Sequence, residues 1–325
     1  MNYLITGGAG FIGSHLARRL LNAGHEVTVI DDLSTGSLTN IQDLRDNARF
    51  CFVFDNVRNV DVMNLLVSQC DRVYHLAAAV GVKLIIEQPV RTIETNIHGT
   101  EVVLSIANKF RRKVLLASTS EVYGKSEAIP FHEDDDTVLG STRFSRWSYA
   151  CSKAIDEFLG LAYHQQYNLP VIIVRLFNTV GPGQTGRYGM VIPRFIERAI
   201  YNEPIEIYGS GCQTRCFCCV FDVVNALELL MECPEAPGRV FNVGSDEEVT
   251  IEELANRIIH LAGSRSTKRY LSYEQAYGKS FDDMMRRVPD LTRIKQCINY
   301  GQCYKLDEIL HLIITHIKKD LDLSQ

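Results

Sequence analysis

The chain reads as an α/β protein, a doubly wound parallel sheet followed by a smaller α/β lobe. Three observations carry that reading. Apolar runs of strand length alternate with amphipathic stretches of helix length from Tyr3 to Leu176. Such alternation implies parallel strands with crossover helices on both faces. The first run ends in glycines spaced G-x-x-G-x-x-G, at Gly7, Gly10 and Gly13. Finally, polar residues stand where the runs end, at Asp31, Asn56, Thr119 and Asn178. Open α/β sheets bind their ligands beyond the carboxyl ends of the strands.

Tyr3-Leu4-Ile5-Thr6 is the first strand. The helix after the glycines carries Ile12, Leu16 and Leu20 on one face, with Arg18 and Arg19 outward. Taken alone, the glycines could mark an ordinary tight turn. Between a strand and a helix they let the backbone approach a pyrophosphate, which the first-turn N–H groups then face. The second strand, Glu26–Ile30, ends in Asp31-Asp32. Asp31 follows the glycines at roughly the 20-residue spacing of a carboxylate that binds a ribose diol. A 2′-phosphate would be repelled there, so NAD is favoured over NADP. The alternative is a solvated loop acid.

The later elements come in order. Phe50–Phe54 is the third strand, ending at Asp55-Asn56-Val57, and residues 58–70 form a helix. Arg72–Ala79 is the fourth strand; it runs into the small stretch Leu76-Ala77-Ala78-Ala79, which suits close approach of a flat ligand. A long helix covers Thr92–Phe110. Lys113–Ser120 is the fifth strand, Trp147–Tyr167 a helix and Val171–Leu176 the sixth strand. Beyond Asn178 the character changes. A glycine-rich loop (181–189) leads to a helix at Val191–Tyr201, a strand at Ile205–Tyr208, a strand end and helix at Phe217–Met231 and a strand at Val240–Gly244. Then come a helix at 250–262, a charged loop at 282–290 and a last helix at Leu306–Ile317. The expected division is a Rossmann-type dinucleotide domain at 1–177, to which 216–244 returns, and a substrate lobe mainly at 178–325.

Composition bounds the function. The 325 residues are 46% hydrophobic and 22% charged, as in ordinary globular proteins. A net charge of −5 gives no general attraction to nucleic acid or membrane. No run approaches the roughly 18 apolar residues that span a bilayer. The first strand begins at once, which leaves no room for a signal peptide, so a cytoplasmic location is expected. The ten cysteines are then expected to be reduced thiols. Cys212, Cys216, Cys218 and Cys219 cluster, but not at a zinc spacing, and no metal is expected.

Tyr149 and Lys153 stand four apart on one helix face. An ammonium near a phenol favours phenolate and lowers its pKa from about 10 toward neutrality. Such a tyrosine can take a hydroxyl proton while hydride leaves the same carbon. The bland alternative is a surface Tyr–Lys pair. Thr119 could bond the same substrate hydroxyl or cap a turn. Glu121, two residues on, is a base, a water-positioner or a cap. Arg215 and Arg287 suit phosphate or carboxylate, unless they are solvated surface arginines.

Together these motifs resemble the extended short-chain dehydrogenase/reductases, in particular the NAD-dependent nucleotide-sugar epimerase, dehydratase and decarboxylase group. The resemblance rests on TGGAGFIG at 6–13, Asp31, HLAA at 75–78, STSEVYG at 118–124, YACSK at 149–153, RLFNTVGPG at 175–183 and RRVPD at 286–290. It implies that Tyr149 is the catalytic base, that Lys153 assists it and holds the nicotinamide ribose, and that Thr119 is the catalytic hydroxyl. The implied cofactor contacts are Gly7, Gly10, Phe11, Ile12, Gly13, Asp31, Asp32, Asn56 (where relatives carry Asp against the adenine), Val57, Leu76, Ala77, Ala78 and Asn96. The implied substrate contacts are Lys83, Asn178, Arg194, Tyr208, Gln213, Arg215 and Arg287.

Members of this group oxidise C4 of the sugar to a ketone and differ in the fate of that ketone. Dehydratases use an Asp–Glu pair in T-D-E-V-Y-G, and here Ser120 replaces the Asp. Simple 4-epimerases usually lack a carboxylate where Glu121 stands. S-T-S-E-V-Y-G looks like the UDP-glucuronate decarboxylases, and the run from Tyr277 to Pro289 places Arg287 at their catalytic arginine. Ser120, Glu121 and Arg287 thereby join the catalytic set. The expected activity is UDP-glucuronate decarboxylation. A UDP-sugar or UDP-uronic acid 4-epimerase, another dehydratase, or a non-catalytic dinucleotide sensor are the alternatives. The resemblance also implies a homodimer through the Thr92–Phe110 and Trp147–Tyr167 helices.

Overall fold

A computed structural model describes residues 1–186, 190–277 and 284–322, without the side chains of residues 82, 83, 86, 320 and 322. In chain order the elements of the first half are β1 (Asn2–Thr6), α1 (Phe11–Asn22), β2 (Glu26–Asp31), β3 (Phe50–Phe54), α2 (Val60–Gln69), β4 (Arg72–His75), α3 (Val82–Glu87), α4 (Pro89–Phe110), β5 (Lys113–Thr119), α5 (Arg146–Tyr167) and β6 (Val171–Leu176). The second half adds β7 (Thr179–Val180), α6 (Val191–Ile200), β8 (Ile205–Tyr208), β9 (Thr214–Cys216), β10 (Cys218–Cys219), α7 (Val220–Glu232), β11 (Val240–Val243), β12 (Glu248–Thr250), α8 (Ile251–Ala262), β13 (Lys268–Leu271), α9 (Tyr273–Tyr277), α10 (Thr292–Ile298) and α11 (Leu306–Asp322).

Seven parallel strands form one sheet in the order β11-β6-β5-β4-β1-β2-β3. β1 pairs with β2 on one side, Leu4 opposite Thr28, and with β4 on the other, Leu4 opposite Val73. The chain therefore winds outward through β2 and β3, then returns to the far side of β1. A crevice opens at that reversal, beyond the carboxyl ends of β1 and β4. Two glycines make it possible. Gly7 has φ +71°, and a Cβ on it would lie 2.8 Å from the Ala77 nitrogen. A Cβ on Gly13 would collide with the Gly7 carbonyl oxygen.

Helices cover both faces. On one, α1 and α7 bury Leu16, Leu20, Val223 and Leu227 against Ile5 and Val174. On the other, α2 and α4 bury Met63, Val67, Val103 and Leu104 against Leu4 and Ile173. A separate apolar core ties α6, α8 and α11 together through Phe195, Ile196, Leu254, Ile258, Ile309 and Leu310. Around that core lie the parallel pair β8–β13 and the antiparallel pair β9–β12. Among the described residues, no helix is long and apolar enough to cross a membrane.

Some elements differ from the sequence reading. The fourth strand stops at His75, so Leu76–Ala78 are irregular backbone over the crevice. Helix α4 starts at Pro89, whose fixed φ suits a first helical turn. Strands β7, β9, β12 and β13 and helices α3, α9 and α10 add to the reading, β10 is the strand end expected before α7, and α11 runs on to Asp322.

Candidate active site

A cleft of about 710 Å³ runs from the glycine loop to the lobe built on α6 and α8. Its dinucleotide end is made largely of backbone. Gly10, the N-cap of α1, is extended and offers no side chain to close the helix start. The first-turn N–H groups and positive end of α1 are thus left for an anion. Gly7, Gly10, Phe11, Ile12, Gly13, Leu76, Ala77 and Ala78 all line this end. Asp31 is fixed there by the N–H groups of Ala9 (3.0 Å) and Leu33 (2.8 Å). Burial pushes its carboxyl up, against the pull of those donors. Asp32 is also buried in part, but bonds from Ser34 and Asn56 outweigh that and hold its carboxyl down. A pyrophosphate on the helix start and a diol on Asp31 fit this donor set, so the residues suit NAD.

Two expected cofactor residues are otherwise engaged. Asn56 lines the cleft with Val57, but its amide nitrogen donates to Asp32 Oδ2 (2.8 Å). Its oxygen accepts from the Arg58 backbone N–H (3.0 Å) and Nε (3.1 Å). Asn56 therefore braces Asp32 as well as facing the cleft. Asn96 corrects the sequence reading. It is buried, accepts from the Ala79 N–H (2.8 Å) and donates to Ser152 Oγ (3.1 Å). Its amide holds the wall behind the cleft and is absent from the lining.

The opposite end is made of side chains. Tyr149 and Lys153 project from α5 into the cleft, and Thr119 stands at the tip of β5. Thr119 caps the turn, as one of its two expected roles has it, and also meets Tyr149. Its Oγ1 accepts from the Glu121 N–H (3.2 Å), capping the turn Ser120–Tyr123, and its hydroxyl bonds the Tyr149 phenol. The lowered phenol pKa expected from Lys153 does not appear. Burial, then the charges of Glu121 and Asp156, push the Tyr149 phenol well up, and Thr119 and Arg287 only partly oppose them. Lys153, whose ammonium was expected to lower it, pairs instead with Asp156, Nζ to Oδ2 2.8 Å.

Above Tyr149, among the described residues, Arg287, Arg146 and Glu121 meet. Arg287 Nη2 donates to Glu121 Oε1 at 3.0 Å. Arg146 Nη2 lies 3.5 Å from the same oxygen. Arg287 is 7% exposed and Arg215 9%, so neither is a solvated surface arginine. Ser120 is buried beside them and lines the cleft. Sequence reasoning missed Arg146 and Asp156. Both lie on the face of α5 that carries Tyr149 and Lys153, at spacings of three and seven from Tyr149, and that face is the signal that would have found them.

Further out, Asn178, Arg194, Tyr208, Gln213 and Arg215 line the cleft together. The Arg194 guanidinium sits 4.0 Å from the Tyr208 ring centre. Asn178 holds φ +26° and donates to the Cys216 carbonyl (2.9 Å). Gln213 donates to the Tyr208 carbonyl (2.8 Å), and Arg215 Nη1 to the Thr214 carbonyl (2.7 Å). The Lys83 side chain and residues 278–283 lie outside the described residues. Cys216, Cys218 and Cys219 are buried in β9 and β10, and burial pushes their thiols up to about 12, 12 and 11. Cys212 is exposed.

Residues 4–313 match the family described as GDP-mannose 4,6 dehydratase. The chain belongs to this family. Within it, the chain is 43% identical over 298 residues to a UDP-N-acetyl-alpha-D-glucosaminuronate decarboxylase of Bacillus cytotoxicus, covering 91% of each. It is 36% identical to UDP-glucuronic acid decarboxylase 1 of Danio rerio, over 98% of this chain and 73% of that one. In structure it resembles the UDP-glucuronic acid 4-epimerase of Bacillus cereus, solved with UDP-glucuronic acid and NAD. That match has a TM-score of 0.88 at 29% identity, covering 98% of this chain and 99% of that one. The GDP-mannose 4,6-dehydratase-like chain is thus an extended short-chain dehydrogenase/reductase with the doubly wound fold, and an enzyme.

Proposed function

We propose that the protein is an NAD-dependent decarboxylase of a UDP-hexuronate, with UDP-glucuronate the first candidate. One observation carries the reading: two buried arginines, Arg287 and Arg146, meet the carboxylate of Glu121 above Tyr149. A guanidinium binds a carboxylate in bidentate fashion, so buried arginines at this place suit a substrate with its own carboxylate. The activities for which the Bacillus cytotoxicus and Danio rerio relatives are named support the same class.

Bound NAD would accept a hydride from C4 of the sugar and later return it. The residues of this chain do the rest. Tyr149 takes the O4 proton, oriented by the Thr119 hydroxyl. Arg287 holds the C6 carboxylate. Once C4 is a ketone, that carboxylate is β to a carbonyl. The C5–C6 electron pair moves into the enolate as CO2 leaves, and a proton then adds to C5. Glu121 and Ser120 manage that proton and its water. The product would be the UDP-pentose, or the 4-keto pentose if release came early. Asn178 and Arg215 would hold the diphosphate. The 1–177 region with the returning 216–244 would hold the dinucleotide, and the remainder of 178–325 the nucleotide sugar.

The protein loaded with NAD should release CO2 from UDP-glucuronate or from its 2-acetamido analogue, read by mass spectrometry of the products. A product of unchanged mass would replace this reading with a 4-epimerase, and loss of water with a dehydratase.

A homodimer is part of the proposal. Val90 and Ile93 of α4, with Ile155 and Phe158 of α5, are exposed side chains on helices that pack against each other, and Phe158 is 72% exposed. A second copy would cover them. Light scattering should give twice the chain mass for the protein and the single mass for Phe158→Asp. A monomer in the unaltered protein would overturn this part.

A further inference from the structure

Asp156 is a buried carboxylate to which the proposed reaction gives no task. It stands on the inner face of α5, one turn beyond Lys153, and is fully buried, while Lys153 is 2% exposed. Asp156 is the only hydrogen-bond partner of Lys153 among the described residues. The second oxygen of Asp156, Oδ1, is buried with no hydrogen-bond partner among the described residues. Breaking such a pair would leave an uncompensated buried charge, so its retention beside a catalytic base asks for a reason.

The surroundings supply one. The Thr100 hydroxyl of α4 lies against Asp156 and also meets His75 Nε2 at 3.1 Å. His75 Nδ1 meets Thr6 Oγ1 at 2.7 Å, and Thr6 Oγ1 accepts from the Ala77 N–H at 3.2 Å. Burial, with the Lys153 charge, pushes His75 down to about 3, so it is neutral there. Glu157 adds a further negative charge near Asp156, and burial raises the Asp156 carboxyl against the pull of Lys153. Around the Tyr149 phenol stand Glu121, Asp156, Thr119 and Arg287. Asp156 thus acts on Tyr149 electrostatically in two ways. Its own charge disfavours phenolate, and it holds the ammonium that would favour phenolate.

We propose that Asp156 is a positioning residue acting through Lys153: its carboxylate anchors the ammonium on the inner face of α5 and so sets how strongly that charge favours phenolate at Tyr149. The proposal rests on Tyr149 being the base of the proposed reaction. Removal of the carboxylate takes away one charge that raises the phenol and releases one that lowers it, so both effects act downward.

The test is Asp156→Asn in the full chain, with and without NAD. Tyrosinate absorbance, taken as the difference from the same protein carrying Tyr149→Phe, should show the phenol titrating about one pH unit lower in the variant, a tenfold shift. The acid limb of the UDP-glucuronate-dependent rise in nicotinamide absorbance should move down with it. Asp156→Glu keeps the charge and should restore both. A phenol that titrates at the same pH or higher would overturn the proposal, as would a Glu variant that shifts as far as the Asn variant. Melting curves report folding, and Asp156→Ser takes the place of an Asn variant that does not fold. Failure of the reading of Tyr149 looks different: the unaltered protein would give no absorbance rise with any UDP-sugar, while the titration could still be read.

Discussion

The dinucleotide end of the cleft is made of main chain, whereas the sugar end is made of charged side chains that converge from distant segments. At the first, the work is done by the close approach of β1, α1 and the Leu76–Ala78 stretch, where two glycines leave room. At the second, Thr119 and Glu121 come from the tip of β5, Arg146 and Tyr149 from α5, and Arg287 from the segment before α10. A backbone site admits or excludes its ligand as a whole. A side-chain site can lose one step of a reaction and keep another. Variants at the two ends should therefore fail in different ways.

The largest effect is expected at the backbone end. Gly13→Val places a branched side chain against the Gly7 carbonyl and the Gly8 Cα. NAD titration by calorimetry should show affinity down by about 100-fold or more, the loss of several hydrogen bonds to an anion at a helix start. All turnover should fall with it. A variant that binds NAD normally would show that the glycine loop is not where the pyrophosphate rests.

Next comes Arg287→Ala at the other end. NAD should still bind. The rise in nicotinamide absorbance on adding UDP-glucuronate should persist, while CO2 release falls by about 100-fold, since a buried charge-assisted contact to the leaving carboxylate is gone. Equal loss of both signals would mean that Arg287 serves binding alone. Arg146→Lys should be milder, about tenfold on CO2 release, because a point charge remains where the planar fork was.

The same contrast explains what was legible in the sequence. The glycine loop and Asp31 lie close together in the chain, and their spacing is set by one strand, one turn and one helix. Tyr149 and Lys153 are legible for the same reason. Arg146 and Asp156 were not, because a charge on a helix reads as solvated until the packing of α4, α5 and β5 buries it. The error over Lys153 has the same root: with Asp156 unseen, the ammonium had only the phenol to act on. Asn96 was read as a contact through the family resemblance, but the turn of α4 aims it at Ala79 and Ser152. In the second lobe, β7, β9 and β12 are two or three residues long, too short to show any period.

The smallest expected effect concerns the segment that delivers Arg287. Its neighbour Arg286 pairs with Glu248 of β12, Nε to Oε1 and Nη2 to Oε2 both at 2.8 Å, and Thr214 of β9 bonds the same carboxylate. The Arg286 hydrogen bond is the main cause that lowers the Glu248 carboxyl from 4.5 to about 2, against a little burial. A depressed carboxyl adds stability that is present above its unfolded value and lost as pH falls through its folded value. The tether should therefore hold above pH 4.5 and loosen between there and pH 2. Because the pair is largely exposed, Glu248→Gln should lower Tm by only about 1–2 °C near neutral pH, with no difference left at the acid end. A CO2-release rate that drops as far as in Arg287→Ala would instead mean that this surface pair, and not the buried Arg287–Glu121 contact, sets the place of the arginine.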